Sequence, residues 1–224
     1  MEHSPLTKPH VHAIEIEAML RNQSRIYNLP AESLFLRPGE FPEGIYYIAK
    51  GRTRHSILSP EGTEKILYTL ASGWFFGETP YFLGYPSGLL SRTEITSVLY
   101  MILPSTCERL MDTSPLFRQI IIESYSHKML IMRHEIASLS FDPCKERLKR
   151  LYCGIADPSR LIDEHWHPLK VHYTQYDLSA IIGSARGTTA RLIGELYSEG
   201  FLRTVNHHLQ INAEAYNSYL NREE

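Results

Sequence analysis

Three cysteines in 224 residues, at 107, 144 and 153, are too few and too scattered for a disulfide framework or a cysteine-rich metal centre. No apolar run approaches the length that crosses a bilayer. The N-terminus carries acid and histidine where a secretory leader would carry an apolar segment. A reducing cytoplasm is the expected setting, with no membrane partner. Basic charge is not in excess: 23 Lys and Arg stand against 25 Asp and Glu, so the whole molecule does not announce a polyanionic partner. Glycine patterns of dinucleotide or phosphate loops are absent. The β-rich region holds one histidine, His55, and no His-x-His pair, which removes the usual ligands and acid–base pairs of a barrel-fold enzyme. No catalytic residue, metal site or cofactor is expected.

What is present is ample core material, 43% hydrophobic, and a change of period along the chain. Residues 1–12, with prolines and His3, His10 and His12, read as a loose tail. Residues 13–29 carry Ile14, Ala18, Met19 and Ile26 at roughly helical spacing and stop before Pro30. Short β-rich runs follow at 34–36, 45–49, 53–58, 65–70, 74–78 and 94–103. Turn signals such as Arg37-Pro38-Gly39-Glu40 and Ser59-Pro60-Glu61-Gly62 separate them. This rhythm indicates an all-β barrel or sandwich.

At Pro104 the β pattern stops, and 115–140 reads as one long helix opening on Pro115, which suits a first turn. Ile122, Tyr125, Met129, Met132, Ile136 and Leu139 are spaced 3, 4, 3, 4, 3, a heptad seam. Ile120, Ile121, Leu130 and Ile131 form a second apolar row. Two apolar faces need two partners: the β-domain, and either the same helix of a second subunit or further burial within the chain. Phe141-Asp142-Pro143 then breaks the helix. Asp142 can cap, and Pro143 can open, a new helix running through Leu148 and Leu151 to Gly154. Its outer side, Lys145, Arg147, Lys149 and Arg150, is a solvated face or a phosphate-reaching one. Residues 155–168 read as a loop and 169–171 as a short strand.

Residues 173–196 read as two short helices broken at Gly183. Thr174 and Asp177 form a capping-box pattern ahead of Leu178, Ile181 and Ile182. After the glycine, Leu192, Ile193 and Leu196 make an apolar face, leaving Arg186, Thr189 and Arg191 to point outward. An ordinary helical hairpin and a DNA-binding helix-turn-helix both fit this pattern. Residues 174–224 hold four arginines and no lysine against six acids, which weighs mildly against DNA unless the arginines share a face. Gly200 ends the second helix. Residues 201–205 and 209–211 flank Asn206-His207-His208 as a hairpin, giving a winged arrangement, and 213–221 close as a helix. The boundaries expected are 1–114, 115–140 and 141–224.

β-barrel, seam helix, Asp-Pro hinge and winged helix-turn-helix occur here in that order. With them stand Gly39-Glu40, Tyr46-Tyr47-Ile48-Ala49-Lys50-Gly51, Phe76-Gly77-Glu78 and Thr174…Leu178…Gly183…Arg186…Thr188…Arg191. The chain thereby resembles, over roughly 30–212, the cyclic-AMP receptor/fumarate–nitrate regulator (CRP/FNR) family of bacterial transcription factors. The resemblance implies an α+β chain: a cyclic-nucleotide-binding-like jelly-roll barrel, a dimerisation helix and a winged helix-turn-helix. It implies a homodimer on palindromic double-stranded DNA, gated by a small-molecule effector, with RNA polymerase as an expected partner. The dimer interface would be Ile122, Tyr125, Met129, Met132, Ile136 and Leu139.

By position, Arg186 and Arg191 match the family's base-edge or phosphate-contacting arginines and Thr188 a phosphate-contacting hydroxyl, with Ser184, Thr189 and Thr174 as further contacts. Gly187 stands where many members have a glutamate, and Ala185 takes the N-cap position, so a frayed start to the recognition helix is expected. In the effector site Gly77 and Glu78 are present, but Ser87-Gly88 replaces the arginine–serine pair that takes a cyclic phosphate, and Arg92 lies further on. Cyclic AMP is therefore not the expected ligand. The cysteine cluster of iron–sulfur members is also missing. The aromatic content suggests a small apolar or aromatic effector, as in the branch sensing chlorinated phenols. Tyr81, Tyr85, Tyr100, Tyr125 and Lys128 are candidate contacts, or else core aromatics and a surface lysine. Haem through His127 or His134, a ligand-independent scaffold and a barrel-fold enzyme remain alternatives.

Overall fold

Helix α1 (Ala13–Leu20) is shorter than the spacing over 13–29 predicts, and it buries Ile16 and Leu20 while Ile14 stays exposed. The structure, a computed structural model, describes residues 10–221. His10 is no loose tail residue: it is buried, its Nε2 lies 2.9 Å from Glu123, and its ring meets Trp74 edge-on. Gly73 permits this approach, because a Cβ there would stand 2.8 Å from the His10 Cβ. His3 lies outside the described residues.

The chain then runs β1 (Arg25–Leu29), β2 (Leu34–Leu36), β3 (Ile45–Lys50), β4 (Arg52–Leu58), β5 (Glu64–Ala71), β6 (Phe75–Phe76), α2 (Glu78–Leu83), β7 (Leu90–Thr93), β8 (Ser97–Ile102) and α3 (Pro104–Thr113). The strands form two four-stranded antiparallel sheets, ordered β1-β8-β3-β6 and β2-β7-β4-β5, which build the jelly roll. Strand β1 occupies residues that the helical reading of 13–29 had claimed: Arg25-Ile26-Tyr27-Asn28-Leu29 pairs with β8 throughout. Strand β3 is apolar along its length because both of its faces are covered. Ile45 and Tyr47 pack with Ile16, Leu20, Cys107, Leu110 and Phe117 under the helices, while Ile48 faces Leu70, Phe76 and Leu99 inside the barrel.

Helix α4 (Pro115–Phe141) matches the expected long helix. The chain divides into two units inside it, one up to Arg133 and one from His134 on. In the first unit α4 buries Phe117, Ile120, Ile121, Ser124, Lys128 and Ile131. Most of the heptad row is left uncovered: Ile122 and Ile136 are each 62% exposed, and Tyr125, Met129 and Leu139 are also exposed, while Met132 is half-buried against the barrel core.

The second unit continues with α5 (Cys144–Ile155), β9 (Trp166–Pro168), α6 (Gln175–Ile182), α7 (Arg186–Ser198), β10 (Leu202–Val205), β11 (His208–Asn212) and α8 (Ala213–Leu220). Pro143, not Asp142, is the N-cap of α5; the Asp142 carboxylate instead accepts from Arg150 at 2.6 Å. The short strand is 166–168 rather than 169–171, because its partner β11 pairs His167 with Ile211. The wing closes at Asn206 and His207, both with positive φ, as a two-residue primed turn requires, and His208 already belongs to β11.

Candidate functional site

A cavity of about 310 Å³ opens between the barrel and α4 within the first unit. Leu36, Leu67, Tyr68, Phe76 and Leu89 supply its apolar barrel wall; Tyr125, Met129 and Met132 supply the wall from α4. Of the expected contacts, Gly77, Glu78, Tyr125 and Lys128 line it. Tyr81, Tyr85 and Tyr100 do not. The Tyr81 hydroxyl points to the Pro104 carbonyl at 3.5 Å, Tyr85 is exposed, and Tyr100 sits in the core beneath the helices, donating to Glu17 at 3.2 Å. Alternation along β8 decides the last case, since neighbouring residues face opposite sides of the sheet.

Polar groups are few and concentrated. Gly77 precedes α2 in the left-handed region at φ 88°, which turns Glu78 inward as the first residue of that helix. There Glu78 is buried and ion-paired with Lys128 of α4. Lys128 also donates to the Phe75 carbonyl at 2.9 Å. The Ser124 hydroxyl, one turn earlier on α4, lies 3.2 Å from Glu78 Oε1 and accepts from the Phe75 amide at 3.2 Å. Lys128 is thus no surface lysine; burial pulls its pKa down while Glu78 holds it up.

Opposite this pair, His55 lies between the hydroxyls of Thr53 and Ser91, 2.9 Å from each. Burial lowers its pKa to about 3, with the Lys128 charge adding to the shift, so the ring is neutral. Burial likewise raises the Tyr68 hydroxyl, which stays a phenol. Sequence reasoning passed over His55, Tyr68 and Ser91 as lining residues; for His55 the signal was a run of polar residues inside a strand, 52–56, and the other two carried none. Among the described residues no arginine lines the cavity. Arg92 stands on β7 and reaches Glu64 at 3.4 Å instead. His127 lies flat against Trp74, 4.6 Å between ring centres, and is not among the lining residues.

The second candidate site is the α6–α7 pair. The capping box forms as the spacing predicts: Thr174 Oγ1 accepts from the Asp177 amide at 3.1 Å, and the Asp177 carboxylate accepts from the Thr174 amide at 3.0 Å. Leu178, Ile181, Ile182, Leu192 and Leu196 are buried. Gly183 turns the chain at φ 64°. Ala185 is the N-cap of α7 and supplies no side-chain bond, yet the helix is formed from Arg186. Arg186 and Arg191 are exposed, Thr188 and Ser184 are half-buried, and Thr174 is exposed at the cap. Thr189 does not point outward. It is fully buried and donates to the Ala185 carbonyl at 3.2 Å, because it occupies the same face as Leu192 and Leu196.

The basic cluster of α5 is spent inside the unit. Lys145 pairs with Glu195 at 3.1 Å and with Glu199. Arg147 donates to the Ile182 carbonyl at 2.8 Å, closing the C-terminal end of α6, and Arg150 holds Asp142. Lys149 pairs with Glu146 at 3.4 Å and lies over Phe201.

Residues 26–114 match the cyclic nucleotide-binding domain family. The cAMP-activated global transcriptional regulator CRP of Haemophilus influenzae is 22% identical over 178 residues, covering 79% of each chain. Among solved structures, the c-di-GMP-responsive global regulator CLP of Xanthomonas campestris superposes with a TM-score of 0.77 at 22% identity, over 88% of this chain and 97% of that one. CprK in complex with OCPA superposes with a TM-score of 0.69 at 18% identity, over 93% and 94%.

Proposed function

We propose that this chain, a divergent member of the CRP/FNR family of transcription regulators, acts as a homodimer that reads a palindromic DNA site under the control of a small apolar or aromatic effector. The observation that carries the DNA reading is the exposed face of α7, where Arg186 and Arg191 reach solvent on the side opposite the buried Thr189, Leu192 and Leu196. Arginine meets guanine O6 and N7 with two parallel hydrogen bonds, the commonest specific base contact. Two such helices related by a dyad would enter successive major grooves about 34 Å apart. The heptad row of α4, apolar and mostly uncovered, supports the dyad.

The cavity supports the effector class. Its one lining lysine is already neutralised by Glu78, so a cyclic phosphate would bring an unpaired charge into an apolar enclosure. An aromatic ring would instead exchange water for Leu36, Phe76, Tyr68 and Met129, with Lys128, His55 and Tyr68 offering polar contacts at its edge. Tyr125 and Met129 belong both to the cavity wall and to the uncovered row, so a bound effector would touch the surface on which the helices meet.

Selection of binding sites from random duplexes tests the reading, run with and without phenolic compounds, nucleotides and haem that first raise the melting temperature. Enrichment of an inverted repeat is the expected result. Absence of any enriched motif under all conditions overturns it.

A further inference from the structure

The two exposed arginines of α7 are held by different chemistry. The guanidinium of Arg186 lies over the ring of Tyr176, 4.5 Å from its centre. Arg191 is ion-paired with Glu195 one turn along the same helix. An aromatic ring occupies the face of a guanidinium and leaves its N–H groups, which lie in the plane, available to other acceptors. A carboxylate occupies those N–H groups themselves. Arg186 can therefore meet a base edge without first breaking a bond, whereas Arg191 must leave Glu195. That release is made easier by Lys145, which stays 3.1 Å from Glu195 and keeps it paired.

The ring sits on the better-braced of the two helices. Tyr176 is in the first turn of α6, next to the Thr174–Asp177 capping box, and Arg147 closes that helix at its other end. Arg186, by contrast, opens a helix whose N-cap, Ala185, contributes no side-chain bond, at the end where the helix dipole disfavours a cation. Its neighbour Gly187 has open space where a Cβ would be, so nothing on that side limits the arginine's rotation.

We propose that Tyr176 is the positioning residue that orients Arg186 and so sets base preference, for a guanine edge, at the base pair Arg186 meets. The proposal rests on the DNA-reading function above. Site selection and affinity measurements on the full chain compare wild type with Tyr176→Phe, Tyr176→Ala, Arg186→Ala and the Tyr176→Ala/Arg186→Ala pair, each checked for folding by thermal melting. Loss of the ring should weaken discrimination at one base pair per half-site by about five- to tenfold. Tyr176→Phe, which keeps the ring, should hold it within about twofold. Once Arg186 is alanine, removing Tyr176 should change nothing further at that position. An even loss of affinity over all sequences in Tyr176→Ala, or a Tyr176→Phe variant as weak as Tyr176→Ala, overturns the proposal. A wild-type motif that Tyr176→Ala leaves intact sinks this assignment alone; no wild-type motif sinks it together with the reading beneath it.

Discussion

His55 and Lys128 are two titratable groups that the fold holds in one cavity at some cost, and that cost can be measured. For His55 the folded pKa, about 3, lies below the usual 6.5, so between those values the unfolded chain binds the extra proton and the folded one does not. Stability therefore falls as pH drops from about 6.5 toward 3, by on the order of 4 kcal/mol in total. Urea titrations across that range should show the slope, and His55→Gln should flatten it. The Lys128–Glu78 pair makes the complementary case. Lys128→Met leaves Glu78 buried without its cation and should lower stability by about 3–5 kcal/mol, while Lys128→Met with Glu78→Leu should recover most of it. A single variant as stable as wild type would show that the pair is solvated. Glu78 was singled out from Phe76-Gly77-Glu78, but Lys128 was named only as a candidate effector contact or a surface lysine and not as its partner, since helical spacing cannot say which face of α4 meets the barrel.

At the level of elements, the legible parts are those with local causes. The capping box, the Gly183 turn and the long helix α4 each depend on residues close in sequence, and each forms as its spacing predicts; the wing hairpin forms too, with its turn one residue shorter than the expected Asn206-His207-His208. The misread parts depend on distant partners. Residues 25–29 extend because β8, seventy residues on, offers an edge; α3 forms over 104–113 because Cys107 and Leu110 complete the core beneath β3. Thr189 was misplaced for the same reason, since which face of α7 is inside depends on α6. Arg147 is the clearest instance. Read as one of a basic row, it closes the C-terminal end of α6 from a different helix. Arg147→Met should therefore destabilise the 134–221 unit by about 1–3 kcal/mol. Thr174→Ala, removing the cap at the other end, should cost about 1 kcal/mol. Thermal melts of both variants check this; if Arg147→Met melts like wild type while losing DNA affinity, its role is phosphate contact instead.

For the molecule as a whole, the uncovered row on α4 and the modest charge of the 174–224 segment bear on one another. A single copy, with net charge −2 and its α5 cations already paired, offers few phosphate contacts, so one half-site alone should be held weakly. Two copies joined along Ile122, Tyr125, Met129, Met132, Ile136 and Leu139 would bind both half-sites at once, the second at high effective concentration. A charge placed within that row should separate the two effects. Ile136→Glu lies in the second unit, away from the cavity lining, and is 62% exposed in the single chain, so it should leave each copy folded. Sedimentation should show a monomer. Affinity for an inverted repeat should fall to that of an isolated half-site, a loss of about a hundredfold or more. If Ile136→Glu remains dimeric, the row on α4 is not the seam; if it is monomeric yet binds the repeat as tightly as wild type, pairing of the helices is not what brings the two arginine-bearing faces together.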